Sequence, residues 1–144
     1  MTDMQAALGL SQLKKSDRFL QRRREIAGMY TEAFLDEKNL ITPFQANGCH
    51  SSWHLYVIQI KLDQLVIDRK GFFEALLREN IGVNVHYIPV YQHPYYQVNG
   101  YKNITCQYSE QYYERAITLP IFPKMSNQDV AEVVKVIKQI LGRS

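Results

Sequence analysis

The run from Val85 to Tyr96, which reads VHYIPVYQHPYY, concentrates the side chains that could do chemistry. Its histidine and tyrosine rings are rigid carriers of hydrogen-bond donors and acceptors. Pro89 and Pro94 restrict the backbone, so a ligand would meet polar groups that are already ordered. These features indicate a small-molecule binding edge. Local sequence alone, however, favours a tyrosine-rich loop that packs against its own domain.

The remaining residues carry no recognisable catalytic motif. The sequence has no GxSxG, P-loop, GxGxxG or HExxH pattern. Cys49 and Cys106 lie far apart without metal-ligand spacing, which predicts two free thiols and no metal site. His54 follows Trp53 at the start of an apolar run, and a lone imidazole there is more typical of packing than of ligand binding.

Composition indicates one folded domain. The chain has 144 residues, 46% of them hydrophobic and 22% charged, which is the range of globular proteins. No apolar run approaches the roughly 20 residues that span a bilayer, and no signal peptide is evident, so we expect a cytoplasmic protein. Six basic residues between Lys14 and Arg24 suggest either a solvated helix face, which we favour, or a nucleic-acid surface, which we do not expect.

The order of elements follows from apolar spacing and from helix caps. The final helix is the clearest, because Ser126 can cap it and its valines, isoleucine and leucine recur at helical spacing. The stretch from Thr2 to Asp36 predicts one long helix or two abutting helices. The other predictions are a strand at Trp53–Leu62, a helix from Asp68 to Glu79, a strand at Val83–Tyr87, an irregular connection over Ile88–Lys102, a helix at Ser109–Arg115 and a strand at Ile117–Leu119.

These elements predict an α/β (α+β) fold. Its sheet has about three strands and is covered by helices on one face, with a long N-terminal helix. We expect a single domain over residues 1–144, made of the long helix (1–36) and a sheet-and-helix body (49–144). The strand at Val83–Tyr87 would deliver His86 and Tyr87 to the sheet edge, where ligands commonly meet strands.

Three segments together resemble the sugar aminotransferases of the DegT/DnrJ/EryC1/StrS family. They are Met1–Leu13 (MTDMQAALGLSQL), Trp53–Tyr56 (WHLY) and Gly82–Pro89 (GVNVHYIP), and the similarity continues through Ile117–Pro120 (ITLP) to the final helix. The wording of the loop after His86 is most similar to the branch that aminates UDP-linked 4-keto-6-deoxy sugars on the way to pseudaminic acid.

The resemblance implies a fold-type I aminotransferase, in which a large domain holds pyridoxal 5'-phosphate on a lysine and a small domain closes over the active site of a homodimer. The chain resembles only the C-terminal small domain, so we expect the N-terminal cofactor-binding domain to be absent from it. No lysine of this chain occupies the family's Schiff-base position. The isolated chain is therefore expected to bind no cofactor and to be inactive, with no catalytic residue of its own.

The implied function of the full-length enzyme is amino transfer from glutamate to a nucleotide-linked keto-deoxy sugar, in cell-surface polysaccharide or glycan biosynthesis. The alternative is a non-catalytic module for small-molecule binding or oligomerisation. Residues Thr2 to Gln5 would lie near the cofactor site or the dimer partner. The residues that match the family's substrate-side segment are His86, Tyr87, Pro89, Tyr91 and His93.

Overall fold

The computed structural model describes residues 1–142, which form six helices and a sheet of three strands. In chain order the elements are α1 (Asp3–Leu13), α2 (Ser16–Ala33), β1 (Leu40–Ile41), β2 (Tyr56–Ile60), α3 (Arg69–Arg78), α4 (Pro94–Tyr96), α5 (Gln107–Arg115), β3 (Ala116–Leu119) and α6 (Asn127–Leu141). Two 3₁₀ turns at Leu62–Gln64 and Val90–Gln92 and one π-helical turn at Gln97–Tyr101 complete them.

The sheet is antiparallel in the order β1, β2, β3. Leu40 lies opposite Ile60 and Ile58 lies opposite Ile117. Alternate side chains of β2, beginning with Tyr56, are buried, as the two-residue period of a strand requires. The mixed α/β class and the three-stranded sheet that the sequence predicted are therefore confirmed.

One predicted strand is wrong. Residues Val83–Tyr87 do not form a strand, and only Asn84 makes an isolated bridge, to Thr118. The Asn84 side-chain oxygen accepts a hydrogen bond from the Val85 N–H at 2.8 Å, and such local bonds compete with a strand ladder. The third strand is instead β1, whose two residues are too few for a sequence pattern to reveal.

The N-terminal helix divides into two, which rules out a single long helix. Thr2 begins α1 with a capping box, in which its hydroxyl accepts from the Gln5 N–H and the Gln5 side chain accepts from the Thr2 N–H. At the junction the Ser16 hydroxyl donates to the Leu13 carbonyl at 2.8 Å. The predicted alternative of two abutting helices is therefore the correct one.

The core lies between the sheet and the helices α2, α3 and α6. The Tyr30 ring of α2 is fully buried, and its hydroxyl donates to the Pro120 carbonyl at 2.9 Å. Burial, reinforced by the nearby Tyr56, raises the pKa of Tyr30 well above its ordinary value. The helices contribute these further buried side chains: Ile26, Ala27, Phe72, Leu76, Val130, Val133, Val136, Ile137, Ile140 and Leu141.

Two arginines of the basic cluster between Lys14 and Arg24 make hydrogen bonds inside the fold. Arg22 donates to the Met125 carbonyl at 2.7 Å, and Arg23 donates to the Ile121 carbonyl at 2.9 Å. Arg24 reaches the Ser51 carbonyl. The interpretation of this cluster as a solvated face is thus wrong for Arg22 and Arg23, which are half-buried and fasten α2 to the loops beside it, and holds for the exposed Arg24.

Helix α1 buries none of its residues. Its large apolar side chains, Met4, Leu8, Leu10 and Leu13, are between 62% and 83% exposed. At 100° per residue, Met4 and Leu8 lie on one side of the helix and Leu10 and Leu13 lie on the opposite side. Within residues 1–142 no helix is both long enough and apolar enough to cross a lipid bilayer.

Candidate functional site

His86 is held against the sheet by a buried hydroxyl. Its ring nitrogen Nδ1 lies 2.8 Å from Oγ1 of Thr118. The backbones of Thr118 and Asn84 exchange both hydrogen bonds of the bridge, at 2.8 and 3.2 Å, which brings the segment of His86 alongside β3. The position of the imidazole is therefore fixed from two directions.

Tyr87 projects from the same point into open space. Its ring is 71% exposed, and it contacts the His86 ring edge-on at a centroid distance of 4.4 Å. The peptide bond between the two residues is cis. A half-buried imidazole thus stands beside an exposed phenol ring.

Tyr91 connects the two ends of the segment that runs from Tyr91 to Cys106. Its hydroxyl donates to Oε1 of Glu110 at 2.8 Å and accepts from the Cys106 N–H at 3.2 Å. The same Glu110 oxygen accepts from the Cys106 N–H at 3.3 Å. Desolvation, and next the hydrogen bond to Glu110, raise the pKa of the Tyr91 phenol. The start of the segment, its end and helix α5 are thereby joined at one carboxylate.

Between Tyr91 and Cys106 the chain is more regular than the sequence predicted. A 3₁₀ turn, α4 and a π-helical turn follow one another, and the Gln97 side chain donates to the Tyr91 carbonyl. The rings of Tyr95, Tyr96 and Tyr101 make successive edge-on contacts. The prediction of an irregular connection is thus wrong for the short turns, which the ring contacts and local hydrogen bonds order, and correct at Asn99 and Gly100, whose backbone dihedrals are not helical.

An aromatic cleft of about 520 Å³ opens between residues 87–91 and α5. Charged side chains are absent from its lining in the described part of the chain, so its polar groups are phenol and serine hydroxyls and backbone groups. Aromatic faces with neutral hydrogen-bonding groups suit a sugar ring or a nucleobase better than a phosphate. We call it the tyrosine cleft, and it is lined by Tyr87, Ile88, Pro89, Val90, Tyr91, Tyr108, Ser109 and Tyr112.

The structure brings three of the five predicted site residues into this cleft, namely Tyr87, Pro89 and Tyr91. His86 lies next to it, tied to Thr118. His93 is exposed and stands outside the lining, where its carbonyl accepts from the Tyr96 and Gln97 N–H groups at 3.0 and 3.1 Å. Its position gives it a part in starting α4.

Sequence reasoning missed four residues of this region. Tyr108 and Tyr112 are four apart on α5 and therefore share one helix face, a signal that the sequence did contain. Glu110 and Thr118 gave no such signal, because their partners are 19 and 32 residues away. Burial raises the pKa of Tyr112, as expected for a phenol that is covered on one side.

A larger cavity of about 830 Å³ lies elsewhere, between α2 and the connection before β2. Its walls include Leu35, Phe44 and Trp53, together with Arg24 and Glu32. Volume alone would favour it. The tyrosine cleft is the better candidate because it gathers the residues whose types and spacing suggested chemistry. Within residues 1–142 no cluster of His, Cys, Asp and Glu side chains could hold a metal ion.

Comparison with known proteins matches the chain to an aminotransferase family. Residues 1–138 match the model of the DegT/DnrJ/EryC1/StrS aminotransferase family. The spore coat polysaccharide biosynthesis protein SpsC of Bacillus subtilis is 45% identical over 143 residues, which cover 98% of this chain and 37% of that protein. A Methanocaldococcus jannaschii protein, MJ1066, is 44% identical over 145 residues, which cover all of this chain and 38% of that protein.

Solved structures share the fold over nearly the full length of the chain. The Helicobacter pylori aminotransferase PseC, described as involved in the biosynthesis of pseudoaminic acid, superposes with a TM-score of 0.91 at 28% identity, over all of this chain and 38% of that one. The Streptococcus pneumoniae putative sugar aminotransferase Spr1654 superposes with a TM-score of 0.85 in its PLP-form, at 28% identity, over 99% of this chain and 36% of that one. The chain thus spans less than two fifths of the length of the relatives that it matches.

Proposed function

Because this chain belongs to the DegT/DnrJ/EryC1/StrS aminotransferase family, we propose that it is the C-terminal small domain of a pyridoxal-phosphate-dependent sugar aminotransferase. The whole enzyme transfers an amino group from glutamate to a nucleotide-linked keto-deoxy sugar, as a cytoplasmic homodimer. Similarity to the spore coat polysaccharide protein and to the pseudoaminic acid enzyme supports a substrate used in cell-surface glycans.

The tyrosine cleft is the observation on which the proposed role of this chain, substrate binding, rests. Tyr87, Tyr108 and Tyr112 supply aromatic rings, and ring faces pack well against the apolar face of a sugar. Tyr91 is held in place by Glu110, so the cleft is ordered before a ligand arrives. The role of these residues is to bind and orient the sugar nucleotide.

The tyrosine cleft, as residues 1–142 line it, does not fit the cofactor. Attachment of pyridoxal phosphate requires a lysine in a protected cleft. Lys15 and Lys61 are half-buried, the other lysines are exposed, and none of them lines the tyrosine cleft. We therefore assign the cofactor lysine to the large domain, and no chemical step is assigned to residues 1–142.

The exposed apolar surface of α1 is evidence for the proposal that further polypeptide covers this helix. A helix that is apolar on opposite sides is typical of a position inside a larger structure. Met4 and Leu8 on one side, and Leu10 and Leu13 on the other, would be covered by the large domain and by the second subunit. The lengths of the curated relatives leave ample polypeptide for this role.

A chimera tests the proposal. Residues 1–144 replace the corresponding segment of the Bacillus subtilis relative, whose 45% identity favours a compatible interface. We expect lysine-bound pyridoxal phosphate, measured by absorbance, and amino transfer from glutamate to a UDP-4-keto-6-deoxy sugar. The isolated 144-residue chain should show neither. Covalent pyridoxal phosphate on the isolated chain would contradict the assignment of the lysine to the large domain.

A matched pair of variants tests the cleft within that chimera. Tyr87→Ala removes a ring that is 71% exposed and lines the cleft, whereas Tyr95→Ala removes a ring that is 69% exposed and lies outside the lining. Loss of one stacked ring costs about 1 to 3 kcal/mol, so we expect KM to rise roughly tenfold or more for Tyr87→Ala. Tyr95→Ala should leave KM unchanged. Equal effects of the two changes would remove the cleft from the substrate site.

A second candidate function is a binding or oligomerisation module without catalysis. The exposed apolar residues of α1 favour it, because they could pair two copies of the chain. Titration of the isolated chain with UDP-N-acetylglucosamine separates the two candidates. Tight binding that Tyr87→Ala abolishes, together with an inactive chimera, would favour the module.

A further inference from the structure

Apart from the hydroxyls of the buried tyrosines, Thr118 is the only polar side chain buried in the core of the described residues. It is 6% exposed and lies in β3 between the buried Ile117 and Leu119. A buried hydroxyl must find a hydrogen-bond partner, because leaving it unsatisfied opposes folding. Throughout residues 1–142 the single side-chain partner of Thr118 is Nδ1 of His86, at 2.8 Å.

Because Thr118 has a single side-chain partner, the choice of donor and acceptor between its hydroxyl and the His86 ring can be argued. A hydroxyl has one hydrogen to donate, and a neutral imidazole has one donor nitrogen and one acceptor nitrogen. If Nδ1 carried the hydrogen and donated to Thr118, the hydroxyl hydrogen would have no side-chain acceptor among residues 1–142. The arrangement that satisfies both groups within the described residues has the hydroxyl donating to Nδ1 and the imidazole hydrogen on Nε2.

We propose that Thr118 is a positioning residue that holds His86 in the tautomer protonated on Nε2, so that Nε2–H is a hydrogen-bond donor toward an oxygen of the bound sugar nucleotide. The nature of the ligand rests on the proposed function. The edge-on Tyr87 ring limits rotation of the imidazole from a second side. Thr118 acts only through His86, and no contact with the ligand is assigned to it.

Nitrogen NMR on the histidine-labelled 144-residue chain tests the positioning without cofactor or substrate. In the wild-type chain we expect His86 with hydrogen on Nε2 and a Nδ1 resonance shifted by an accepted hydrogen bond. Thr118→Val keeps the shape and removes the hydroxyl, so Nδ1 should move toward the position of a free imidazole nitrogen. Thr118→Ser keeps the hydroxyl and should restore the wild-type resonance, and far-ultraviolet circular dichroism checks that both variants fold.

Two outcomes would overturn the positioning: hydrogen on Nδ1 in the wild-type chain, or a Nδ1 resonance that Thr118→Val leaves in place. These readouts are separate from catalysis, so an inactive chimera contradicts the proposed function and not the tautomer.

The chimera then tests the role toward the ligand. Thr118→Val should raise KM about tenfold, which is the effect of losing one oriented hydrogen bond. It should add nothing in a His86→Ala background, because Thr118 acts through that ring. Full additivity of the two changes would overturn the idea that Thr118 serves the ligand through His86.

Discussion

Helices α1 and α6 begin in the same way and end up in opposite environments. Both start with a capping box, built by Thr2 and Gln5 in α1 and by Ser126 and Asp129 in α6. Helix α6 buries six of its residues against α2, α3 and the sheet, whereas α1 buries none. The cap determines where a helix begins, and the arrangement of its apolar side chains determines where it packs.

Helices α1 and α6 differ in how many sides of the helix carry apolar residues. The apolar residues of α6 form one stripe, so a single surface can cover them. Those of α1 lie on two opposite sides, so the body of this chain could cover at most one of them. Helix α1 therefore has the composition of a buried helix and the exposure of a surface helix.

Shortening one apolar side chain in each helix gives the largest expected contrast. Ile137→Ala in α6 should lower the free energy of unfolding by about 2 to 5 kcal/mol, because the side chain is fully buried. Leu8→Ala in α1 should change it by no more than about 0.5 kcal/mol. Urea unfolding of the 144-residue chain, followed by circular dichroism, measures both. Equal losses would show that α1 is packed into the same core.

Removing the caps should give a smaller contrast. Ser126→Ala should cost about 1 kcal/mol of global stability, because α6 unfolds together with the core. Thr2→Ala should lower the helix content of α1 and leave the global transition in place, since α1 can unfold by itself. Amide hydrogen exchange distinguishes local from global unfolding. A shift of the global midpoint by Thr2→Ala as large as that caused by Ser126→Ala would contradict the difference between the helices.

The smallest expected effect is a pH dependence found in one capping box only. Hydrogen bonds from the Ser126 backbone, and then from its side chain, lower the pKa of the Asp129 carboxyl below 3.8. A lowered folded-state pKa stabilises the folded chain above the unfolded value, and that stabilisation is lost as the pH falls through the folded value. The stability difference between wild type and Asp129→Asn should therefore shrink between about pH 6 and about pH 3.

Gln5 provides the internal control, because it holds the same position in α1 and does not titrate. Gln5→Ala should have an effect on the helix content of α1 that is the same at both pH values. A constant penalty for Asp129→Asn over this range would show that its carboxylate contributes nothing to the cap.

The sequence predicted elements whose signals are local. Asp68 caps α3 and Ser126 caps α6, as expected, because a cap and its N–H partner are three residues apart. The strand predicted at Val83–Tyr87 failed because the Asn84 side chain bonds to its own backbone neighbour. The two-residue β1 was missed because it is defined by its partner β2 and not by its own pattern.

In the candidate site, too, the features with local signals were predictable and those that depend on long-range contacts were not. Tyr87, Pro89 and Tyr91 lie in one continuous stretch of sequence, so their meeting in the tyrosine cleft could be anticipated. Their supports could not, since Glu110 reaches Tyr91 from α5 and Thr118 reaches His86 from β3. Long-range hydrogen bonds of this kind leave no periodicity for a sequence argument to use.

The carboxylate of Glu110 fixes the two ends of the stretch between Tyr91 and Cys106. Because it fastens both Tyr91 and Cys106, the ends of the intervening stretch stay together whatever its middle contains. Closure of a loop depends only weakly on its length, so residues between these ends can be exchanged or inserted at little energetic cost. The sequence of this stretch can therefore vary while the sheet, α5 and the tyrosine cleft stay as they are.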